Sequence, residues 1–287
     1  MSAAYIAASG LTHEAAAADP HDITGVTTPS GSNRLMVLYT CVGSGGPAGA
    51  VGVTYNGVAM THRAGSSLTG DFWNIDCWYM KEADLPASGT VSIDQSGAHD
   101  EQLAMITFYD GVDQTTPFRN ANATTSSQTA STDPTVTVAS DAADLVIGGL
   151  WVGGVVAHTA VAGTIRVEDE NVAGFESGSV SDISGATPTL TTGLGSSSAR
   201  AMWVADSLIA ATAGATSDQE GARFGIDDGA EAAHSWEAAQ DTNITVAAGE
   251  TRLVNIIVNA TGTLGAKAFK LQYRKVGDPD WRDMPVQ

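Results

Sequence analysis

Short apolar segments that recur along the chain, with no amphipathic helix between them, constrain the fold more than any other feature. Segments such as RLMVLYTCV, FWNIDCWYMK, EQLAMITFYDGV and DLVIGGLWVGG are rich in β-branched, aromatic and aliphatic residues, and turn-forming residues separate them. About ten to twelve such segments follow one another at intervals of roughly 8–15 residues. Parallel βαβ units need helices between their strands, so the pattern predicts an all-β protein built from antiparallel sheets.

Alternation within these segments indicates which side of a strand is buried. The two faces of FWNIDCWYMK carry Trp73, Ile75, Cys77 and Tyr79 on one side, and Asn74, Asp76 and Trp78 on the other. Asn56 and Gly57 in VTYNGVAM form the strongest hairpin-turn signal of the chain. A jelly-roll-like β-sandwich fits this spacing, although sequence alone leaves the strand order open.

Composition divides the chain into four parts. Residues 1–33 are rich in alanine and then in glycine, serine, threonine and proline, so we expect an N-terminal arm with a first strand. Residues 34–210 carry most of the strand signals and form the predicted sandwich. The small, weakly polar residues of 211–222 indicate a linker, and alternation in RLVNIIVNATG and AKAFKLQYRK predicts a smaller β domain over 223–287.

The chain is strongly acidic, which bears on its partners. Thirteen Lys and Arg against 32 Asp and Glu give a net charge of −19. Such a surface repels nucleic acid and anionic membranes, so neither is expected as a partner. The N-terminal segment lacks a basic region followed by an apolar one, which predicts synthesis in the cytoplasm without a signal peptide. No segment approaches the roughly 18 apolar residues of a membrane-spanning helix.

Catalytic and cofactor-binding patterns are missing from the sequence. The six histidines are scattered without metal-ligand spacing, and neither a G-x-S-x-G turn nor a phosphate-binding loop occurs. We therefore expect a protein that is not an enzyme, with no catalytic residues and no cofactor. Calcium is left open, because Asp227, Asp228 and Glu231 place three carboxylates in the turn DDGAE, where a solvated acidic turn is the alternative.

The two cysteines, Cys41 and Cys77, both lie within apolar strand patterns. Buried free thiols fit this setting. A disulfide between neighbouring strands is the alternative, and the sequence does not decide between the two.

Positive charge gathers near the C-terminus, where residues 217–287 hold 7 of the 13 Lys and Arg. The polar side of the strand predicted in KLQYRK carries Lys270 and Arg274, and Lys275 follows directly. This basic face is either a solvated surface or a contact with an acidic partner or with the neighbouring domain.

Tryptophan supplies one further candidate site. Trp78 shares its predicted strand face with Asn74 and Asp76. An aromatic ring beside amide and carboxylate groups can bind a sugar, so these three residues form a candidate glycan site. A tryptophan in the hydrophobic core is the alternative.

Two parts of the sequence resemble modules of tailed-phage proteins. The succession VTYNGVAM, WYMKEADLPASGTVSID, ITFYDGVDQTTPF and ADLVIGGL resembles a β-sandwich module common in tailed-phage virion proteins and related prophage genes. The segment from ARFGIDDG to VGDPDW resembles an Ig- or fibronectin-III-like module of phage structural proteins, through Asp227-Asp228-Gly229, Trp236, Asp241-Thr242-Asn243 and the pair LQYR and W. Together the two resemblances cover most of residues 34–284.

The resemblance implies a non-enzymatic structural protein on the surface of the phage particle. The form expected first is a capsid decoration or cement protein, attached to the head lattice as a homo-oligomer such as a trimer. Its main partner would be the major capsid protein, which Lys270, Arg274 and Lys275 would contact. The alternative is an adhesion module of a tail or head fibre that binds host surface glycans through Trp78, Asn74 and Asp76.

Overall fold

The structure of the chain is a computed structural model. It describes residues 2–15, 19–43, 50–69, 73–95, 101–172, 176–197, 200–211, 216–226, 239, 242, 244, 252–261, 272–273 and 282–283. The chain divides into two compact units, residues 1–212 and residues 213–287.

Strands make up almost all the regular structure of the first unit. Apart from one 3-10 turn at Glu82–Asp84, its described elements are β1 (Ala4–Ala15), β2 (His21–Thr27), β3 (Leu35–Gly43), β4 (Ala50–Tyr55), β5 (Val58–Ala59), β6 (Thr61–His62), β7 (Leu68–Thr69), β8 (Trp73–Lys81), β9 (Ser88–Gln95), β10 (Glu101–Asp110), β11 (Thr124–Gln128), β12 (Thr135–Thr137), β13 (Leu145–Val152), β14 (His158–Ala162), β15 (Thr164–Val172), β16 (Glu176–Ser184), β17 (Thr189–Leu194) and β18 (Ala201–Leu208).

The second unit is also built from strands where it is described. The strand β19 (Thr216–Ile226) pairs antiparallel with β20 (Arg252–Thr261). A shorter pair joins β21 (Gln272–Tyr273) to β22 (Arg282–Asp283). The prediction of an all-β chain is therefore confirmed, whereas the jelly-roll-like and Ig-like descriptions stay predictions.

Four antiparallel sheets form the first unit. Sheet A has the order β1-β10-β3-β8-β6, with β7 also beside β8, and sheet B has the order β2-β9-β4-β5. Sheet C has the order β11-β18-β13-β16-β15, and sheet D has the order β12-β17-β14. We call sheets A and B the N-terminal sandwich, and sheets C and D the C-terminal sandwich.

The sheets are stacked in the order B, A, C, D. In β3, Met36 and Leu38 belong to the apolar layer shared with sheet B, whereas Val37 and Tyr39 belong to the layer shared with sheet C. Sheet C likewise faces sheet D through its other side, where Trp203 is buried. Because sheets A and C are covered on both faces, their central strands are continuously apolar rather than alternating. Each large side chain that is fully buried stabilises the fold by about 1.5–3 kcal/mol.

The two sandwiches repeat one strand order. Sheet A corresponds strand by strand to sheet C, from β1 and β11 at one edge to β6 and β15 at the other, and β2-β9-β4 corresponds to β12-β17-β14. The N-terminal sandwich adds β5 at one edge. The sequence predicts one sandwich over 34–210. In the structure this region contains two sandwiches, each with its own apolar interior, and a third apolar layer packs the two sandwiches together.

The ends of the predicted sandwich also differ from the structure. The strands β1 and β2 lie in sheets A and B, whereas the sequence predicts an arm with one first strand over residues 1–33. Alanine, serine and glycine give β1 little contrast between a buried and an exposed face, which hides its period. In the predicted linker 211–222, β19 begins at Thr216.

Glycines in sheet C allow it to approach sheet A closely. A Cβ added at Gly149 would lie 2.5 Å from Cγ of Tyr39, and a Cβ added at Gly178 would lie 2.4 Å from Cδ2 of Leu103. Both neighbours are fully buried side chains of sheet A. The GG in DLVIGGLWVGG therefore serves the packing of two sheets.

Candidate functional site

A polar patch on sheet A brings together the three residues predicted to bind a glycan. The patch lies at the edge of the sheet formed by β6 and β7, both of which pair with β8. Asn74, Asp76 and Trp78 alternate along β8 with Ile75 and Cys77, which belong to the layer between sheets A and C. The prediction that the three polar-face residues share one side of the strand agrees with this division.

Asp76 is the centre of the patch. Its side chain is only 3% exposed. Asn74 Nδ2 donates a hydrogen bond to Asp76 Oδ2 at 2.9 Å, and Ser67 Oγ donates to Oδ1 at 2.5 Å. His62 Nε2 lies 3.2 Å from the same Oδ1. Three neighbouring side chains thus surround the buried carboxylate, as a buried polar group requires.

Ser66, His62 and Asp76 are the residue types of a hydrolase triad, but their arrangement differs from one. In a triad, the carboxylate and the serine use opposite nitrogens of the imidazole ring. Here Nε2 of His62 lies 3.2 Å from Asp76 Oδ1 and 3.3 Å from Ser66 Oγ. Ser66 is fully buried, and its Oγ accepts a hydrogen bond from the backbone N–H of Cys77. The serine therefore holds the chain beside β8.

Trp78 is largely part of the core. It is 6% exposed and packs in the apolar layer between sheets A and B. The ring of His62 covers it, with 4.7 Å between ring centroids and 53° between ring planes. The accessible groups of the patch are accordingly His62, Ser67, Thr69 and the half-buried Asn74.

The remaining predicted site residues lie outside the described residues. These are Asp227, Asp228 and Glu231 of the calcium hypothesis, and Lys270, Arg274 and Lys275 of the basic face. Both hypotheses stay predictions.

Cys41 and Cys77 are buried free thiols. Cys41 pairs with Ile75, and Cys77 pairs with Tyr39, so the two thiols are diagonal neighbours on adjacent strands. Diagonal neighbours stand roughly 7–8 Å apart, which is farther than the Cβ atoms of a disulfide. Burial raises the pKa of both thiols well above their usual range, which makes them poor nucleophiles.

A buried ion pair connects the two sandwiches. The Nε–H of Arg63, which follows β6, donates to a carboxylate oxygen of Asp206 in β18, and both side chains are less than a tenth exposed. The other guanidinium nitrogens donate to the carbonyl oxygens of Ala121 at 2.8 Å and Asn120 at 2.6 Å. Burial raises the pKa of Asp206 to about 6, although Arg63 acts in the opposite direction.

Glu176 is a second buried acid, at the start of β16. The indole N–H of Trp151 donates to its Oε2. Burial raises the pKa of Glu176 to about 8, and the charge of Glu101 adds to that rise. Glu176 therefore holds its proton at neutral pH.

His158 lies between two serines of β16. Its Nε2 is 2.9 Å from Ser177 Oγ and its Nδ1 is 2.8 Å from Ser179 Oγ. Because Ser177 Oγ donates to the carbonyl of Gly154 at 2.9 Å, we assign the ring proton to Nε2. Burial lowers the pKa of His158 to about 4, so the ring is neutral under ordinary conditions.

These buried groups were not predicted from the sequence. Asp206 in AMWVADSLI gives a usable signal, since an acid inside a continuous apolar strand is rarely buried without a partner. Its partner Arg63 gives none, because it lies in a loop 143 residues away along the chain.

Comparison with models of known protein families, with curated proteins and with solved structures found no match. No cluster of three or more metal-ligating side chains occurs among the described residues. The part of the chain that the structure describes also contains no helix long and apolar enough to cross a membrane.

Proposed function

We propose that this chain is a non-enzymatic structural protein of a tailed-phage particle, and specifically a decoration or cement protein attached to the head lattice. The observation that carries the proposal is the double sandwich, in which three apolar layers hold four sheets together. The resemblance of the sequence to phage virion modules supports the same role. A protein displayed on a particle must persist in its folded form without renewal, which depends on a high barrier to unfolding.

The polar interior of the first unit supports a structural role. Arg63 and Asp206 satisfy each other across the two sandwiches, and His158 is held by two serines. Groups that are hydrogen-bonded in this way fix the packing of the sheets and are not presented to a substrate.

Charge supports a localised contact with the lattice. A chain of net charge −19 meets other acidic surfaces unfavourably except where positive charge is concentrated. Lys270, Arg274 and Lys275 supply such a concentration, so we assign the contact with the major capsid protein to this face. Several copies in a homo-oligomer, such as a trimer, would add their modest individual affinities on a repeating lattice.

Immunogold electron microscopy of purified particles tests the location. The particles come from the tailed phage or prophage whose genome encodes the chain, and the antibody is raised against the whole chain. We expect gold spread evenly over the head. Label confined to the tail tip or to fibres would favour the adhesion function below, and particles without label would overturn the virion role.

Charge reversal tests the contact. We expect Lys270→Glu and Arg274→Glu to lower the number of copies on each particle, measured by quantitative mass spectrometry. Lys81→Glu is the matched control, because it changes the same charge on a half-exposed lysine of the first unit. Equal occupancy of all three variants would place the contact elsewhere.

The second candidate function is an adhesion module that binds host surface glycans. The polar patch around Asp76 favours it, because an amide, two hydroxyls and an imidazole are accessible beside a tryptophan ring. Since Trp78 is a core residue, its removal would confound binding with folding. Asn74→Ala and Thr69→Val are the better variants, with Thr61→Val on β6 as the control. Loss of binding on a glycan array in the first two alone would support adhesion.

A further inference from the structure

A cleft between β1 and the β15–β16 pair is separate from the patch described above. Its volume is about 600 Å³, and the residues that line it include Tyr5, Gly163, Thr164, Arg166, Asp182 and Ser184. The patch around Asp76 lies by β8 and β6, whereas β1 is the opposite edge of sheet A. The volume falls within the range of roughly 300–1,000 Å³ that is usual for small-molecule sites.

Arg166 is held in a defined position on one side of the cleft. Its Nε–H donates to Asp182 Oδ2 at 2.7 Å. Its guanidinium carbon lies 4.6 Å from the centroid of the Tyr5 ring. The Asp182 side chain is 3% exposed and that of Arg166 is 31% exposed, so a buried carboxylate fixes a guanidinium that reaches solvent.

Backbone irregularities on both walls produce this arrangement. In the pairing of β15 with β16, Ile165 faces Ser181 and Val167 faces Val180, so Arg166 is the additional residue of a β-bulge. In β1, the register also shifts directly after Tyr5. Bulges redirect side chains and concentrate at sheet edges and beside functional sites. The two bulges lie on edge strands that face each other across the cleft.

A glycine that lines the cleft is required by geometry. Gly163 has a φ of +107°, and a Cβ added there would lie 2.9 Å from the carbonyl oxygen of Asp182. A larger residue would be strained and would push against β16. The opening beside Arg166 therefore depends on this position.

Charge selects the class of ligand. Arg166 and Asp182 neutralise each other, so the cleft offers the exposed N–H donors of Arg166 without net charge. An anion would be repelled by Asp182 and by the chain's net charge of −19. The exposed hydroxyls of Thr164 and Ser184 make the rim unsuitable for an apolar ligand.

We propose that this cleft binds a neutral saccharide. Arg166, held in place by Asp182, would hydrogen-bond its hydroxyl groups, Thr164 and Ser184 would contact it at the rim, and Tyr5 would form the aromatic wall. The proposal rests on the cleft alone and stands whether the chain decorates a head or belongs to a fibre. The sugar would come from a cell-surface glycan or from free oligosaccharide, since both present the same hydroxyl groups.

Saturation-transfer NMR on the whole chain tests the proposal, with maltose, cellobiose and lactose as probes at millimolar concentration and glucuronate as the charged comparison. We expect a signal with at least one neutral disaccharide and a weaker one with glucuronate. Arg166→Lys keeps the charge but loses the planar fork of donors, and should lower affinity roughly tenfold, equivalent to about 1.4 kcal/mol. Thr164→Val removes one rim hydroxyl and should lower affinity several-fold.

The controls separate this cleft from the rest of the surface. Thr159→Val removes an equally exposed hydroxyl from β14 and should leave binding unchanged. Asn74→Ala alters the patch around Asp76 and should also leave it unchanged. If Arg166→Lys fails to fold, Thr164→Val still decides the question, because its side chain is exposed.

Three results would overturn the proposal. These are no signal with any neutral disaccharide, an affinity that is unchanged in Thr164→Val, and a signal that Asn74→Ala abolishes. Addition of the saturating disaccharide to purified particles separates the sources, because a cell-surface ligand predicts that it competes with adsorption to host cells. Free sugar as the ligand predicts unchanged adsorption.

Discussion

The two sandwiches of the first unit share a strand order but fill their interiors differently. Between sheets A and B the core is largely apolar, although Asp76, Gln95 and Gln102 are buried there, and β8 contributes Trp78 and Met80 to it. Its counterpart in the C-terminal sandwich, β16, instead presents Ser177 and Ser179 to the interior, where they hold His158. The same topology therefore accommodates either packing.

The stability of the fold should depend on pH mainly through buried side chains of the C-terminal sandwich. Among the acidic and histidine side chains, the large shifts of pKa belong to Glu176, His158 and Asp206, all of which lie in the C-terminal sandwich. Two of them, Glu176 and Asp206, face sheet A from strands β16 and β18. We therefore expect pH to act on the C-terminal sandwich and on its junction with the N-terminal one.

The largest effect should come from breaking the junction. Arg63→Met leaves the carboxylate of Asp206 buried without its cation, which should lower the free energy of unfolding by about 4 kcal/mol near pH 8. The loss should be smaller near pH 5, because the raised pKa of Asp206 then lets it take up a proton. Urea denaturation at both pH values measures the difference.

Arg34→Met is the control for this prediction. Arg34 pairs with Glu82 at 2.9 Å, but both side chains are more than a fifth exposed. Such pairs contribute about 1 kcal/mol or less. Equal losses of unfolding free energy in the two variants would show that the buried ion pair between the sandwiches stabilises the fold no more than an exposed ion pair does.

Glu176→Gln should give the next largest effect. The folded pKa of Glu176 is raised to about 8, so its contribution to stability is complete below the unfolded value and is lost as the pH rises through 8. Between pH 6 and pH 9 the native chain should lose about 3 kcal/mol that the variant does not lose. The slope of unfolding free energy against pH is the measurement, because glutamine also changes the absolute stability. Parallel slopes would contradict the assignment.

Gly149→Ala should lower the free energy of unfolding by roughly 2–3 kcal/mol, since its Cβ would meet the buried ring of Tyr39 at 2.5 Å. Gly52→Ala in the N-terminal sandwich is the control, because it adds the same methyl group to a strand glycine. Its Cβ would meet its nearest neighbour, Asp94 Oδ2, at an ordinary 3.4 Å. Thermal unfolding of the two variants should separate them clearly, and a tolerated Gly149→Ala would mean that sheets A and C can move apart at little cost.

The smallest effect concerns His158. Its folded pKa is lowered to about 4, so its contribution to stability is present above the unfolded value and is lost as the pH falls through 4. Between pH 7 and pH 5 the native chain should lose about 2 kcal/mol relative to His158→Gln. This slope is opposite in sign to that of Glu176, so the double variant should be the least sensitive to pH. A double variant as sensitive as the native chain would show that other groups, such as Asp206, carry the pH dependence.

The sequence predicted the β character and the faces of single strands. Alternation along β8 separated Asn74, Asp76 and Trp78 from Ile75 and Cys77, because side chains of a strand point to opposite sides in turn. Where alternation was weak, as in β1, the sequence predicted an arm with a first strand and missed that β1 and β2 both belong to the sheets of the first unit. The sequence predicted which residues of β8 form the candidate patch, but it did not predict that the ring of His62 covers Trp78.

Local residue order thus determined that this chain forms antiparallel strands, which strands are buried on both faces, and where turns occur. The tertiary structure alone decided that the strands divide into two sandwiches of one order, that Arg63 meets Asp206, and that Arg166 and Tyr5 face each other across a cleft. The physical reason is that strand period is a local property of side-chain direction. Sheet pairing and the partners of buried charges instead join residues far apart in the chain, and no short segment records them.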